Sequence, residues 1–501
     1  MTSLPQSVAQ AVLQLYEALP ARGKPVSSRN HTEYTVLAGV VVSITHILSS
    51  SDNSQCLHGL PQAEINRPLD APIFRVVSLG TGTKCLNRDE VSPCGLNLCD
   101  SHAEVIARRA FIRYLYRCAL YCLEFNITDD LSCPYETHGP TNFLRLRPNW
   151  RFHLYVSDSP CGDAAIYDRV SGESRFTGAK LTQRSAEDIE TVKEGQQAVS
   201  IMRTKCGRSD IDDRRRSTSM SCSDKILRWW VRVAEYDVYA NLYRSILGLQ
   251  GSLLTLFASP IFLSTVVVGA DPIAREPSQQ QALDRALVTR IEASLLPDSS
   301  SRLACYISSE GMFALGKAST EARLSCDEET HFEKEESSDR NSKKRKKRCG
   351  YPAGFCMNWV ANVPHGHRVV EKHAFECKGG SLEVTVASTG YVQGSGKKRS
   401  LSEAADEDFD ALDPRQDPHF GHQSRLCRYE MTVLFLEICN KCMQQEIFGE
   451  LLKDSSGLNF QLLKELNKEY RSHRRYMLSN KTFESYMSDD PEEGYRFKVL
   501  I

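Results

Sequence analysis

A mixed α/β fold, with one sheet flanked by crossover helices, is predicted by three observations. Short runs rich in β-branched residues are bounded by turn formers, a long amphipathic stretch separates two of them, and the alternation recurs further along the chain. The first element is a helix: Val8, Val12, Leu13, Leu15, Tyr16 and Leu19 fall at roughly helical spacing, and Pro20 and Gly23 end it. Tyr34 to Thr45 and Phe74 to Gly80 read as strands. A helix from Ser101 to about Phe125 follows, then a third strand over His153 to Ser157. Ser245 to Phe257 predicts a further helix, and Ile261 to Gly269 a buried strand.

Two stretches break this pattern. Residues 318–350 hold few large apolar side chains, an acidic patch and the basic run Lys343 to Arg348, the composition of a disordered insertion. Residues 394–423 are similar, with Asp406 to Asp410 near their centre. Ordered-looking sequence flanks both, so residues 1–501 read as a single catalytic domain with loops let into it. The basic run is open to two readings, a nuclear-localisation signal or a solvated insertion.

Composition bounds the class. A 41% apolar and 25% charged chain of 501 residues excludes a wholly disordered, collagen-like or coiled-coil protein. Its 62 basic and 63 acidic residues leave a net charge of -1, so no bulk charge points to nucleic acid. No run of about 18 apolar residues exists and the start lacks a secretory profile, which predicts a soluble protein of the nucleus or cytoplasm. In a reducing compartment the 18 cysteines read as buried thiols, with a few as metal ligands.

Three short pieces supply those few: Cys99-Asp-Ser-His102-Ala-Glu104, Ser159-Pro-Cys161-Gly-Asp163 and Ser219-Met-Ser-Cys222-Ser-Asp-Lys225. Zinc chemistry on a purine or pyrimidine needs one His and two Cys ligands, an open fourth position, and a carboxylate that moves protons without binding metal. His102, Cys161 and Cys222 suit the ligand roles, and Glu104 suits the proton carrier. Zinc makes hydroxide available at neutral pH. Glu104 could then carry a proton to the ring nitrogen and to departing ammonia. Against this, Ser101 to Glu104 also fits an S-x-x-E capping box, and Pro-Cys-Gly is an ordinary strand-to-helix turn. Cys439 and Cys442 have metal-like spacing in a helical run with no second pair nearby, and read as structural. Gly80-Thr-Gly82 reads as a turn where a ligand approaches the backbone.

Common deaminases place the second and third ligands in one P-C-x-x-C turn. Here Gly-Asp-Ala follows Cys161, and the next plausible thiol is Cys222. That departure, with Gly80-Thr-Gly-Thr-Lys-Cys85, Met202-Arg-Thr-Lys205, Ser221 to Trp229, Leu247 to Leu254 and Ser424-Arg-Leu-Cys-Arg428, resembles the deaminase domain of RNA-editing adenosine deaminases. Within that superfamily the chain is most similar to the eukaryotic tRNA-specific branch, which makes inosine at position 37 of alanine tRNA, 3′ of the anticodon. The double-stranded-RNA editors carry RNA-binding modules upstream of the catalytic domain. Only about 35 residues precede the first predicted strand here, which favours a stand-alone tRNA enzyme.

The resemblance implies a cytidine-deaminase-like three-layer α/β/α sandwich, enlarged by a mainly helical C-terminal part around a buried inositol hexakisphosphate. Arg108, Arg109, Lys225, Arg228, Arg428, Lys464, Arg474 and Lys498 match the basic lining of that cavity, with Trp229 and Tyr470 as neighbouring aromatics. So many cations could be buried only around a polyanion, since an unpaired buried cation costs several kcal/mol. The same matching implies a relay from Cys222 through Lys225, Asp100 and Lys205. It places Thr83 and Lys84 near the target nucleotide, and Gly207 and Arg208 in a loop flanking the flipped base. Cys206, Phe460 and Tyr495 depart from residues common in the family. The implied partner is tRNA, with neither DNA nor a membrane. Editing of other structured or double-stranded RNA, and a catalytically silent RNA-binding subunit, are the alternatives.

Overall fold

The computed structural model describes residues 2–26, 32–45, 72–125, 133–138, 143–172, 175, 179–181, 199–205, 215–230, 263–290, 303–309, 350–363, 373–394 and 413–441. The predicted helix over 245–257, most of the two predicted insertions, and Cys442 lie outside these residues.

Eight strands form one mixed sheet: β1 Leu37–Ile44, β2 Ile73–Thr81, β3 Trp150–Val156, β4 Leu263–Gly269, β5 Ala304–Ser308, β6 Phe355–Ala361, β7 Phe375–Cys377 and β8 Gly380–Val386. Their spatial order is β5-β4-β3-β1-β2-β6-β8-β7. β3, β4 and β5 run parallel, and the other pairings are antiparallel. Every residue of β1 is buried. A strand covered on both faces explains its near-continuous run of Val, Leu and Ala.

β1 opposes both its neighbours, so β2 and β3 share a direction and their carboxyl ends lie on one edge with that of β4. Crevices outside the carboxyl ends of strands are where open α/β sheets place their ligands.

Helices cover both faces. α1 (Leu4–Ala18) and α2 (Ala103–Phe125) lie on opposite sides, as two glycines show. Gly39 is in register with Leu79, so those two residues share a face, and Gly80 points to the other. A Cβ at Gly39 would stand 2.9 Å from the Val12 side chain of α1; one at Gly80 would stand 2.5 Å from the backbone nitrogen of Ala107 in α2. Gly80 therefore admits a helix rather than a ligand, which corrects the ligand part of the expectation for Gly80-Thr-Gly82; the turn itself is present at Gly82, φ +142°.

α2 has almost no solvent face. Phe111 meets Phe152 of β3 edge to face with ring centroids 5.0 Å apart, a contact contributing about 0.5–1.5 kcal/mol beyond its buried area. The opposite side is closed by α5 (Arg428–Lys441), where the Tyr116 and Phe435 ring centroids are 6.3 Å apart. Two shorter helices complete the described set: α3 (Cys222–Trp230) and α4 (Ser278–Asp284), the latter continued by a π turn over Arg285–Thr289. Among the described residues no helix is long and apolar enough to cross a membrane.

Residues 413–423 fall within the range whose composition predicts an insertion, yet they are packed. Asp413 accepts a hydrogen bond from the Arg415 backbone, Asp417 accepts one from the Ser92 hydroxyl at 3.2 Å, and His419 stacks on Tyr391 at 4.2 Å. Capping and aromatic stacking suit polar residues to an ordered turn, and composition alone does not distinguish such a turn from a solvated loop.

His153 in β3 ties three strands together. Its Nε2 lies 2.8 Å from the Ser43 hydroxyl of β1 and its Nδ1 2.9 Å from the Thr265 hydroxyl of β4. Burial, assisted by Arg151, pushes its pKa from the ordinary 6.5 down to about 4. Between those values the unfolded chain binds the proton and the native state does not, so stability is complete above about pH 6.5 and falls as the pH drops toward 4. The full loss is about 3 kcal/mol. Urea unfolding at pH 7.5 and pH 4.5 measures it, and His153→Gln should remove this part of the pH dependence.

Candidate active site

The site is assembled at the carboxyl edge of the sheet from three separate segments. β2 ends at Thr81 and the chain turns back on itself, with Thr83–Cys85 pairing antiparallel with Asp100–His102 so that Thr83 stands opposite His102. α2 begins at the next residue, and the Ala103 N–H donates to the Gly82 carbonyl at 3.0 Å. Cys161 follows β3, just before a short turn of helix over Asp163–Ala165, and Cys222 is the first residue of α3. A thiolate at a helix N-terminus is stabilised by the exposed backbone N–H groups.

The ligand atoms of His102, Cys161 and Cys222 all lie within 4.8 Å of one another. The His102 Nδ1 is 3.8 Å from the Cys161 Sγ and 3.5 Å from the Cys222 Sγ. Tetrahedral zinc binds thiolate sulfur at about 2.3 Å and imidazole nitrogen at about 2.0–2.1 Å, so the nitrogen–sulfur edges of such a site run to roughly 3.5 Å. One imidazole and two thiols with these edges fit zinc and leave a fourth position open. The Glu104 Oε2 is 3.4 Å from the Cys222 Sγ. Burial raises the Glu104 carboxyl above its ordinary range, against the pull of His102, which suits a group that takes up and releases a proton. The Ser101 hydroxyl accepts no backbone N–H from the first turn of α2, and Glu104 faces the thiols, so this turn is not a capping box.

The two cysteine segments hold each other. The Ser223 N–H and hydroxyl donate to the Cys161 carbonyl at 3.0 and 3.1 Å, and the Cys222 N–H donates to the Cys161 Sγ at 3.3 Å. Hydrogen bonding with Cys222, followed by the nearby His102, holds the Cys161 thiol well below its ordinary pKa despite its burial. Gly162 between them has φ +104°, and an added Cβ would meet the Ser221 and Ser223 hydroxyls at 2.2 and 2.4 Å. Only glycine fits that backbone in that space.

Asp100 anchors a buried polar cluster beneath the site. Its Oδ2 accepts from Lys205 Nζ at 2.5 Å, Lys225 Nζ at 2.7 Å and the Ser219 hydroxyl at 2.9 Å, while Oδ1 accepts from the His102 N–H at 3.1 Å. Against the burial that would raise it, the two lysines hold the Asp100 carboxyl well below the ordinary carboxylate range. Asp100, Lys205 and Lys225 are thus in contact, with Ser219 as a fourth member that sequence reading passed over.

The expected inositol-phosphate residues are only partly described. Arg108, Arg228, Arg428 and Trp229 are buried; Arg108 stacks over the Trp229 ring at 4.2 Å, and the indole N–H has no acceptor among the described residues. Arg109 donates through Nε to the Leu426 carbonyl at 2.6 Å. Lys464, Tyr470, Arg474 and Lys498 lie outside the described residues, as do Gly207 and Arg208 of the expected RNA loop. Thr83 and Lys84 are half-buried beside the ligand cluster.

Sequence reading also passed over three buried acids and their arginine partners. Asp158 receives a bidentate ion pair from Arg175, both contacts at 3.0 Å. Asp163 pairs with Arg285 and Asp224 with Arg290. The available signal was the repeated spacing: each of the two cysteines has an aspartate two positions on.

The adenosine-deaminase (editase) domain family matches residues 78–489, more than half of the chain. A fruit-fly (Drosophila melanogaster) protein named tRNA-specific adenosine deaminase 1 is 32% identical over 301 residues, covering 57% of this chain and 59% of that one. The mouse (Mus musculus) protein of the same name is 28% identical over 375 residues, covering 56% and 66%. A mouse double-stranded RNA-specific adenosine deaminase is 35% identical over 208 residues, covering 39% of this chain and 16% of that one. The chain thus spans less than two thirds of the length of each of these relatives.

Proposed function

We propose, from the premise that the chain belongs to the adenosine-deaminase (editase) domain family, that it converts adenosine to inosine in tRNA, at position 37 of alanine tRNA. The observation that carries the reading is the placement of Glu104 3.4 Å from Cys222, beside a His–Cys–Cys set whose spacing fits zinc. When bound, zinc would supply an activated water at neutral pH. His102, Cys161 and Cys222 would hold it. Glu104, buried and raised above its ordinary range, would take the water's first proton and pass it to the ring nitrogen beside the attacked carbon, then move the second, from the hydroxyl now on that carbon, to the amino group that leaves as ammonia. The target nucleotide would leave its stack to reach the site and would meet Thr83 and Lys84, a role supported by the pairing of Thr83 with His102.

Inositol hexakisphosphate is the proposed second cofactor. Arg108, Arg228 and Arg428 are buried cations, and the buried Trp229 N–H has no acceptor among the described residues; both features support a polyanion. Arg109, Lys225, Lys464, Tyr470, Arg474 and Lys498 complete the proposed lining, and Gly207 and Arg208 the proposed RNA loop.

Incubation of purified protein with unmodified alanine tRNA, followed by sequencing for inosine, tests the substrate. Inosine 3′ of the anticodon is the expected result. The 35% identity to a double-stranded RNA-specific deaminase favours a second reading, editing of duplex RNA. Conversion of a duplex with none in tRNA would establish that reading instead.

A further inference from the structure

The helix formed by α4 and its π turn touches both cysteine segments at residues the proposed chemistry leaves unused. Gln279 of α4 donates to the Ser159 hydroxyl and to the Gly269 carbonyl, both at 3.0 Å, which fixes the chain two residues before Cys161. Arg285 lies 3.2 Å through Nε from Asp163 Oδ2, and its Nη2 donates to the Asp163 and Ile166 carbonyls at 2.9 Å each, which fixes the chain just after Cys161. Arg290 meets Asp224 Oδ1 at 2.5 Å. The other oxygen of Asp224 accepts from the Ser221 hydroxyl at 2.5 Å and the Arg203 N–H at 2.9 Å, which fixes the first turn of α3 around Cys222. Asp163 and Asp224 are both fully buried.

A π turn separates the two arginines through which this helix reaches the cysteine segments. In an α-helix, residues five apart stand about 140° around the axis from one another. Here the Arg290 N–H donates to the Arg285 carbonyl at 3.3 Å, the five-residue bond of a π turn, whose wider winding narrows that angle. Each then pairs with the aspartate two positions beyond a cysteine.

The geometry points to a brace: Arg285 and Arg290 are positioning residues that hold Cys161 and Cys222 at the separation a bound zinc ion requires. This rests on the reading of His102, Cys161 and Cys222 as zinc ligands. Partners that orient metal ligands set the affinity and the release rate of the ion without touching it. Lysine keeps the charge at either position but offers a single ammonium in place of the planar fork that Arg285 spreads over one carboxylate and two carbonyls.

The test is zinc release from the full-length protein to a chromophoric chelator, read alongside the thiolate-to-metal charge-transfer band of the cobalt-substituted form. Arg285→Gln and Arg290→Gln should each release zinc about 10- to 100-fold faster than the wild type, with Arg→Lys intermediate at each position. The control is Arg425→Gln. Arg425 is also buried, but it bonds Asn358 of β6 and Ser381 of β8 where Arg285 and Arg290 bond the cysteine segments, and its loss should leave release unchanged. Wild-type release rates in folded glutamine variants would overturn the brace, and so would equal acceleration by Arg425→Gln. If the glutamine variants fail to fold, the lysine variants carry the same comparison. Absence of stoichiometric zinc from the wild type would instead mark failure of the metal-site reading, which is distinguishable because it precedes any variant.

Discussion

Glu104→Gln should remove inosine formation by a factor of about 10²–10⁴ or more while leaving the fold and the metal content unchanged. The substitution keeps the size of the side chain and takes away only its capacity to accept and return a proton. Glu104 contacts Cys222 through one oxygen, and its position at the start of α2 is set by backbone pairing and by packing of Ala103 and Ile106, none of which the amide disturbs. Single-turnover deamination of tRNA, with zinc quantified in the same sample, checks both halves. Full activity in a metal-replete Glu104→Gln protein would sink the assignment of the proton carrier. It would also sink the deaminase mechanism built on it, whichever RNA is the substrate.

The second large effect is on stability. Asp100→Asn should destabilise the protein by about 3–5 kcal/mol, because it neutralises the one carboxylate oxygen on which the Lys205 and Lys225 ammonium groups converge. Against the desolvation of its burial, Lys205 is held charged chiefly by Asp100, so the amide leaves it with a proton that its surroundings no longer stabilise. The sign of the pH dependence follows. Asp100 titrates well below the ordinary 3.8 in the folded protein, so its contribution is complete above that value and is lost as the pH falls further. Urea unfolding of the wild type, Asp100→Asn, and Asp100→Asn with Lys205→Met measures it. The double variant should regain part of the loss, since the second change removes one stranded cation. Equal stability of wild type and Asp100→Asn would show that water reaches the cluster.

Several elements were legible from local pattern alone. The apolar spacing of Val8, Val12 and Tyr16 located α1, the β-branched runs located β1 and β2, and the length of the amphipathic stretch located α2, because burial of one or both faces imprints itself on neighbouring residues. The candidate ligands were legible for a chemical reason: few arrangements other than a metal call for His, Cys and Cys with a free carboxylate. The ion pairs around them were not. Arg285 is 122 residues from Asp163 and Arg290 is 66 from Asp224, and a charged residue on a helix carries no mark of which distant carboxylate it will meet. The same limit applies to β6 and β8, whose pairing is settled by the sheet edge they extend, and to Gly80, where a glycine signals close approach without saying of what.

The enclosure of α2 between the sheet and α5 has a consequence for the order in which the protein is made. A ribosome delivers His102, Glu104, Cys161 and Cys222 well before residues 426–438, the segment that closes over the outer side of α2 and accepts from Arg109. A nascent chain therefore carries every candidate ligand while the side of α2 that bears Tyr116 is still without its α5 cover. Chains arrested ahead of Arg428 should retain the ligands and still expose Tyr116, the residue that α5 would cover.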